Sequence, residues 1–360
     1  MKRKMVVDSK RIDFGICVNN DIYFDECKWY IERLIVPDGF KVGIFPLRGA
    51  ESIAQAYNDF MNESKAKYKV YLHQDTFVLN RRFIFDIVSL FDASSAIGMI
   101  GVLGGVNLPS NAICYNSWNV GSTYASNVLC TFKYTAGKQT ETLYRKVEAV
   151  DGMIIVTQYD IPWRDDLSLG WDFYDVSQSL EFRRAGYEVV IPNIEEPWCL
   201  HDCGVSKLKK YDLVRETIIR EYGEFFDCKY ECTNMGDIYE MRKRMSEIEL
   251  DLLEKGEYAT LFDVDRMIFS ETGRGDSVSN QIHIFISILE EELKNGAEQK
   301  TFIGREKNFE YMLKKYDEIK FFIRRNVFEK KDEVYIREST LKKFDISREA
   351  YDVIYERVSY

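Results

Sequence analysis

The chain has 360 residues, of which 46% are hydrophobic, and its formal net charge is −10 at pH 7. The length suffices for one large domain or two ordinary ones. The acidic balance excludes a general nucleic-acid-binding protein, because such proteins present a basic surface to phosphates. No stretch reaches the roughly 18 apolar residues of a membrane helix, and the N-terminus lacks the apolar run of a signal peptide. We therefore expect a soluble cytoplasmic protein, with peripheral attachment at the inner face of the membrane as the alternative.

The first part of the chain alternates short apolar runs with amphipathic segments. Strands are predicted over 13–19, 41–47, 68–75 and 97–105, and helices over 24–35, 50–64 and 81–91. This alternation favours a mostly parallel sheet with helices on both faces. Ligands bind such sheets beyond the carboxyl ends of the strands. His73, Gln74 and Asp75 end the third predicted strand and therefore lie where a ligand site is expected.

The second part of the chain changes character at about residue 205. Before that point, a strand is predicted over 146–158 with Asp151 and Gly152 inside it, then a helix that ends at Gly186, and then a strand over 187–192. Beyond it, helical periodicity and dense charge extend over 207–226, 238–256, 279–296 and 308–328. We predict one domain over 1–206 and a mainly α-helical region over 207–360. The second region could serve as a lid, an acceptor-binding element or a surface for homo-oligomers.

Three groups of polar residues are candidates for chemistry, and each also has a structural interpretation. Asp75 suits a hard divalent cation, or it caps the following segment. Asp172 and Asp175 share one face at the start of a helix, where the helix dipole favours carboxylates. One of them could instead act as a catalytic base. His201 could complete a metal site with Asp75, or it is an ordinary exposed or buried histidine.

The cysteines near residue 200 also raise the question of zinc. Cys199, His201 and Cys203, with Cys228 and Cys232, offer zinc-type ligands. Their C-x3-C spacing is wider than the pairs typical of zinc knuckles. We favour reduced cysteines packed as small hydrophobic residues, since the cytosol is reducing, and keep structural zinc as the alternative.

The order and spacing of these motifs resemble those of family 2 glycosyltransferases, which have the GT-A fold. WDFYDVSQSLEFRRAGYEVVIP, at residues 171–192, resembles that family's catalytic segment, and HQD resembles a variant of its DxD metal motif. GWDFYDVSQSLEF and EPWCLHDCG together resemble one branch of glycosyltransferase-like proteins. The resemblance covers residues 12–206. It implies a GT-A (Rossmann-like) α/β fold with a mixed, mostly parallel sheet flanked by helices, ahead of the mainly helical C-terminal region.

The resemblance also implies an activity and roles for individual residues. The activity would be metal-dependent, inverting transfer of a sugar from a nucleotide-sugar donor, with a UDP-sugar expected, to a hydroxyl of a glycan or other acceptor. Asp175 matches the catalytic base, Asp172 would assist it, and Tyr174 replaces the usual glutamate. The expected ligands of a divalent cation, Mn²⁺ or Mg²⁺, are Asp75, His201 and His73.

The residues expected to bind donor or acceptor are Asn19, Gln74, Asp151, Gly152, Trp171 and Trp198. The two tryptophans could stack on a sugar, although a buried position is the commoner one for an aromatic side chain. Because the first position of the metal motif is substituted, a second function stays open. In that alternative, the protein binds nucleotide-sugars or glycans without turning them over.

Overall fold

The computed structural model describes a subset of the chain. The described residues are 7–114, 117–126, 131–137, 142–202, 208, 210–226, 239, 243, 246–247, 250–251, 300–303, 319–326 and 331–336. In this part of the chain, no helix combines the length and the apolar character needed to cross a membrane.

In the described part of the chain, strands and helices alternate through about the first 100 residues, and seven strands then follow before the next α-helix begins at Tyr174. The strands are β1 (Asp8–Val18), β2 (Lys41–Arg48), β3 (Ala66–His73), β4 (Thr76–Val78), β5 (Ile97–Ile100), β6 (Leu103–Gly105), β7 (Val120–Ser126), β8 (Thr131–Ala136), β9 (Tyr144–Val147), β10 (Ala149–Val150), β11 (Ile154–Thr157), β12 (Glu188–Pro192), β13 (Cys199–His201), β14 (Lys300–Ile303), β15 (Ile319–Asn326) and β16 (Lys331–Ile336). The helices are α1 (Asp21–Ile31), α2 (Ile53–Glu63), α3 (Phe83–Ala93), α4 (Tyr174–Arg184) and α5 (Tyr211–Tyr222).

A seven-stranded sheet forms the centre of the fold, in the order β2-β1-β3-β11-β5-β12-β9. β1 pairs in parallel with β2 and β3, and β12 pairs in parallel with β5. β11 is antiparallel to β3 and β5, and β9 is antiparallel to β12. β1, β2, β3, β5 and β12 therefore share one direction, and β11 and β9 run the other way. The predicted mixed, mostly parallel α/β sheet flanked by helices is confirmed.

Two predicted strands are each divided in the structure. The run over 97–105 forms β5 in the large sheet and β6 in a second sheet, whose order is β10-β6-β7-β13-β4. The run over 146–158 contains the end of β9 and then divides into β10 in the second sheet and β11 in the large sheet. Asp151 and Gly152 lie between these two strands. The division leaves both residues in a connection beside the end of β3, where His73 N–H donates to the Met153 carbonyl at 3.3 Å.

The sequence of helix α2 explains how this helix packs against strand β1. Its Ser52 N-cap accepts a hydrogen bond from Gln55 N–H at 3.2 Å. Tyr57 and Phe60, three residues apart, point into the core and are fully buried. A Cβ atom on Gly15 of β1 would lie 2.4 Å from the Phe60 ring. The glycine therefore allows α2 to pack closely against β1.

The described residues fall into two compact units. The first lies within 1–123, 135–201 and 207–243, and the second within 124–134, 202–206 and 244–360. In the first unit, α5 packs on α4 through a buried cluster that includes Leu180, Ile218 and Tyr222. The predicted domain division at residue 206 stays a prediction.

In the region beyond residue 206, the predicted helices have different outcomes. α5 confirms the helix predicted over 207–226 at Tyr211–Tyr222, and the described residues within 238–256 are helical. The helix predicted over 279–296 lies outside the described residues. The prediction over 308–328 is wrong at Ile319–Asn326, which is the strand β15 in a sheet of order β14-β15-β16. This segment is rich in Ile and Phe, which favour strands.

Candidate functional site

Three polar side chains meet at the carboxyl ends of β3 and β13. His73 ends β3, Asp75 lies in the turn before β4, and His201 ends β13. Antiparallel pairing of β13 with β4 sets His201 opposite Thr76, the neighbour of Asp75. One potential ligand atom from each of the three side chains lies within 4.8 Å of the other two. Asp75 Oδ1 is 3.6 Å from His201 Nε2 and 3.9 Å from His73 Nδ1.

The chemistry of these three side chains fits a divalent cation. Asp75 Oδ1 is buried and has no hydrogen-bond partner among the described residues. Two donors about 2.1 Å from one cation can be up to about 4.2 Å apart, so both distances from this oxygen allow a shared ion. Burial raises the pKa of Asp75, but His201 and His73 outweigh it and hold that pKa below its usual value. Burial lowers the pKa of His73, which favours the neutral imidazole that binds metals.

The first residue of α4 contacts this cluster directly. Tyr174 Oη is hydrogen-bonded to His73 Nε2, the ring nitrogen that faces away from Asp75. The Tyr174 hydroxyl lies against Gly152, where a Cβ atom would be 2.0 Å from it. Gly152 therefore leaves the space in which the tyrosine reaches the histidine.

We expect Gly152→Ala to destabilise the protein by about 1–3 kcal/mol, because the added methyl group overlaps the buried Tyr174 ring. Gly223→Ala is the matched control, since its φ is −52° and no atom lies within 4 Å of the new methyl group. Urea unfolding of both variants measures the free energy of unfolding. Equal stability of the two variants would contradict the packing described for Gly152.

Asp175, the second residue of α4, is held by two backbone groups. Its Oδ2 accepts a hydrogen bond from Gly152 N–H, and its Oδ1 accepts one from Val176 N–H, both at 2.8 Å. Burial and the nearby Asp151 carboxylate raise the pKa of Asp175 to about 7, although the two N–H groups oppose the shift. A carboxyl group with this pKa can accept or release a proton near neutral pH.

The start of α4 has an uncommon backbone conformation. Phe173, immediately before the helix, has φ of 56° and ψ of 3°. A left-handed conformation is unfavourable for a bulky residue and persists where packing holds it. The Phe173 ring is buried, with its centroid 4.3 Å from that of Tyr211 in α5. Packing at Phe173 therefore sets the direction in which the side chains of Tyr174 and Asp175 project from α4.

Direct contacts connect the candidate metal ligands to the candidate base. Asp175 accepts the Gly152 N–H group, Gly152 lies against Tyr174, and Tyr174 bonds to His73. Residues widely separated in the sequence thus form one site in the first compact unit. The structure brings together the predicted residues Asp75, His73, His201, Asp151, Gly152 and Asp175.

A family model described as "Glycosyltransferase like family" matches residues 14–222, which is more than half of the chain and includes every residue of this site. The chain belongs to this glycosyltransferase-like family. The match confirms the predicted enzyme class, a glycosyltransferase. No curated protein matches the sequence significantly. The particular branch expected from GWDFYDVSQSLEF and EPWCLHDCG stays a prediction.

Several solved structures are similar at a low level. The mannosyltransferase PcManGT from Pyrobaculum calidifontis, in complex with GDP-Man and Mn²⁺, is 13% identical with a TM-score of 0.37, covering 80% of this chain and 84% of its own. TarS from S. aureus, in complex with UDP-GlcNAc, is 7% identical with a TM-score of 0.40, and the match covers 62% of this chain and 68% of the TarS chain.

In this glycosyltransferase, the Gln74 side chain forms hydrogen bonds that hold two connections of the fold together. Its Oε1 accepts hydrogen bonds from the N–H groups of Asn19 and Asn20, at 2.9 and 3.0 Å. Asn19 Oδ1 in turn accepts a bond from the Gln74 amide. These bonds tie the end of β1 to the turn after β3, so the predicted residues Asn19 and Gln74 lie at the same edge of the sheet as the candidate cation ligands.

The two candidate tryptophans have different surroundings. Trp198 is 5% exposed, and its ring packs edge-on against Phe83 with centroids 5.5 Å apart. A sugar has no access to a face buried in this way, so the alternative interpretation, a core residue, fits Trp198. Trp171 is 55% exposed beside the half-buried Asp172. Burial raises the pKa of Asp172, while Lys210 opposes the shift.

The candidate zinc ligands are only partly described. Cys203, Cys228 and Cys232 lie outside the described residues. Cys199 is buried, with its sulfur 3.5 Å from Thr123 Oγ1. Burial raises the pKa of its thiol to about 12, which disfavours the thiolate that zinc requires. The zinc alternative stays a prediction.

Sequence reasoning missed two interactions that hold α4. The first is the bond between Tyr174 and His73, which no local pattern signals. The second is an ion-pair network in which Arg164 Nη1 contacts Glu181 Oε1 at 3.2 Å and Glu221 Oε1 at 2.8 Å. Arg164 thereby joins the loop before α4 to both α4 and α5.

Proposed function

We propose that this glycosyltransferase moves a sugar from a nucleotide-sugar to an acceptor hydroxyl, with a divalent cation and with inversion at the anomeric carbon. The observation that carries the proposal is the cluster of His73, Asp75 and His201 beside Asp175, in a chain of this family. The contacts through Gly152 and Tyr174 support a single reaction centre.

His73, Asp75 and His201 would hold the cation. A bound cation supplies Lewis-acid stabilisation of the diphosphate that leaves the sugar. Two imidazoles and one carboxylate favour Mn²⁺, with Mg²⁺ as the alternative, because imidazole is a poor ligand for the harder ions. The orphaned Asp75 oxygen supports this assignment, since a buried carboxylate oxygen without a partner is costly.

Asp175 would act as the general base. Its carboxylate takes the proton from the acceptor hydroxyl while the hydroxyl oxygen forms a bond to the anomeric carbon and the bond to the diphosphate breaks. One base on the face opposite the leaving group gives inversion. Asp172 and the exposed Trp171 lie three and four residues earlier and would contact the acceptor, with the ring offering an apolar face to a sugar.

The donor would lie toward Asn19 and Gln74, and a UDP-sugar is the expected donor. The acceptor would be a glycan or another hydroxyl compound.

Activity should depend on pH through Asp175. Because its pKa is raised to about 7, the group is largely protonated at pH 6 and cannot accept a proton, so kcat should rise as the pH passes through about 7. Asp151→Asn removes a neighbouring negative charge and should move this rise to lower pH. Asp166→Asn, at an exposed ion pair, should leave the rise in place. A kcat that does not change between pH 5.5 and 8.5 would contradict the role of Asp175.

The test of the proposal is nucleotide release. The purified protein is incubated with Mn²⁺ and a panel of UDP-, GDP- and other nucleotide-sugars, with candidate glycans as acceptors. Release that depends on acceptor and cation supports sugar transfer. Binding of a donor without release under any condition would favour the alternative function, a nucleotide-sugar- or glycan-binding protein without turnover.

A further inference from the structure

The two ring nitrogens of His73 have different surroundings. Nε2 is hydrogen-bonded to Tyr174 Oη. Nδ1 faces Asp75 Oδ1 at 3.9 Å, which is too long for a hydrogen bond, and it has no hydrogen-bond partner in the described part of the chain. A proton on Nδ1 would therefore lack a protein acceptor at bonding distance among the described residues, whereas a proton on Nε2 has the phenol oxygen.

We propose that Tyr174 is a positioning residue that fixes the tautomer and the ring orientation of His73. In this arrangement Nε2–H donates to Tyr174 Oη, and the Nδ1 lone pair points toward Asp75, where the cation would lie. The inference rests on the cation site of the proposed function. Groups that bond to the far nitrogen of a ligand histidine commonly change metal affinity by about 10–100-fold.

The surroundings of Tyr174 make it a rigid partner for the histidine. The side chain is 5% exposed, and its ring centroid lies 6.1 Å from that of Tyr57 and 6.2 Å from that of Trp163. The Tyr174 hydroxyl also lies directly against Gly152. A hydroxyl oxygen held in this way can accept the imidazole N–H.

The position of Tyr174 in the chain connects the cation site to the base. Tyr174 directly precedes Asp175, and the two are the first residues of α4. Both side chains project from the helix immediately after Phe173, which has the left-handed backbone conformation. A displacement of this helix end would therefore move the partner of His73 and the base together. The position of Tyr174 is thus linked to the geometry of both the cation site at His73 and the base Asp175.

The first test is the tautomer of His73 in the metal-free protein. The chain has three histidines, so ¹⁵N-histidine labelling gives an interpretable spectrum. We expect the wild type to carry its proton on Nε2, and Tyr174→Phe to give a mixture of tautomers. Tyr57→Phe, at a neighbouring buried tyrosine ring, should keep the wild-type pattern. A proton on Nδ1 in the wild type would overturn the proposal.

The second test is Mn²⁺ affinity, measured by calorimetry on the same three proteins. We expect Tyr174→Phe to bind Mn²⁺ at least about 10-fold more weakly, and Tyr57→Phe to stay within about twofold of the wild type. Because phenylalanine keeps the ring against Gly152, the melting temperatures should be similar. Unchanged affinity in Tyr174→Phe would overturn the proposal. Absence of Mn²⁺ binding by the wild type would instead overturn the cation site, while the tautomer would still decide whether Tyr174 orients the ring.

Discussion

Asp175→Asn should lower kcat by about 10²–10⁴-fold while nucleotide-sugar binding stays within about twofold. The amide is nearly isosteric with the carboxylate but cannot take a proton from the acceptor. One oxygen remains to accept a bond from Gly152 or Val176 N–H, so the start of α4 keeps part of its hydrogen bonding. Transfer is measured by nucleotide release, and binding by calorimetry with the donor.

Asp172→Asn is the matched control for this prediction. It makes the same chemical change three residues earlier, at a half-buried carboxyl group to which Gly152 does not donate. We expect a loss of less than about 10-fold, since this residue would orient the acceptor rather than accept its proton. The assignment of the base is wrong if Asp172→Asn abolishes transfer while Asp175→Asn retains it.

Asp75→Asn should weaken Mn²⁺ binding by about 100-fold or more and abolish transfer. Asp75 supplies the one anionic ligand of the proposed set, and its Oδ1 lies between two imidazoles, at 3.6 and 3.9 Å. A neutral amide oxygen is a much weaker ligand for a divalent cation. Calorimetry with Mn²⁺ measures the affinity, and nucleotide release measures transfer.

The control is Asp92→Asn, an identical change of charge at an exposed position near the end of α3. It should alter neither Mn²⁺ affinity nor transfer by more than about twofold. Chelation of the wild type should abolish transfer, and added Mn²⁺ should restore it. Full activity of Asp75→Asn in the presence of a chelator would rule out the proposed cation site.

Local sequence patterns predicted only some features of the candidate site. HQD stands at the end of a predicted strand, and Asp175 stands at the start of a predicted helix, so both were identifiable as candidates from their neighbours. The pattern could not choose between the two environments open to each tryptophan. Trp198 is buried against Phe83, whereas Trp171 is exposed, although each is an isolated tryptophan beside polar or small residues.

Short-range periodicity in this chain was enough to predict the strands and helices of the first 100 residues, the class of sheet and the edge of the sheet at which the candidate site lies. This is because element type depends on neighbours within a few residues. The meeting of His201 with Asp75 depended on β13 pairing with β4, and that of Tyr174 with His73 on a missing side chain at Gly152. Such contacts join residues far apart in the chain. Only the packed tertiary structure decides them, since their energy comes from sheet pairing and core packing rather than from any local preference.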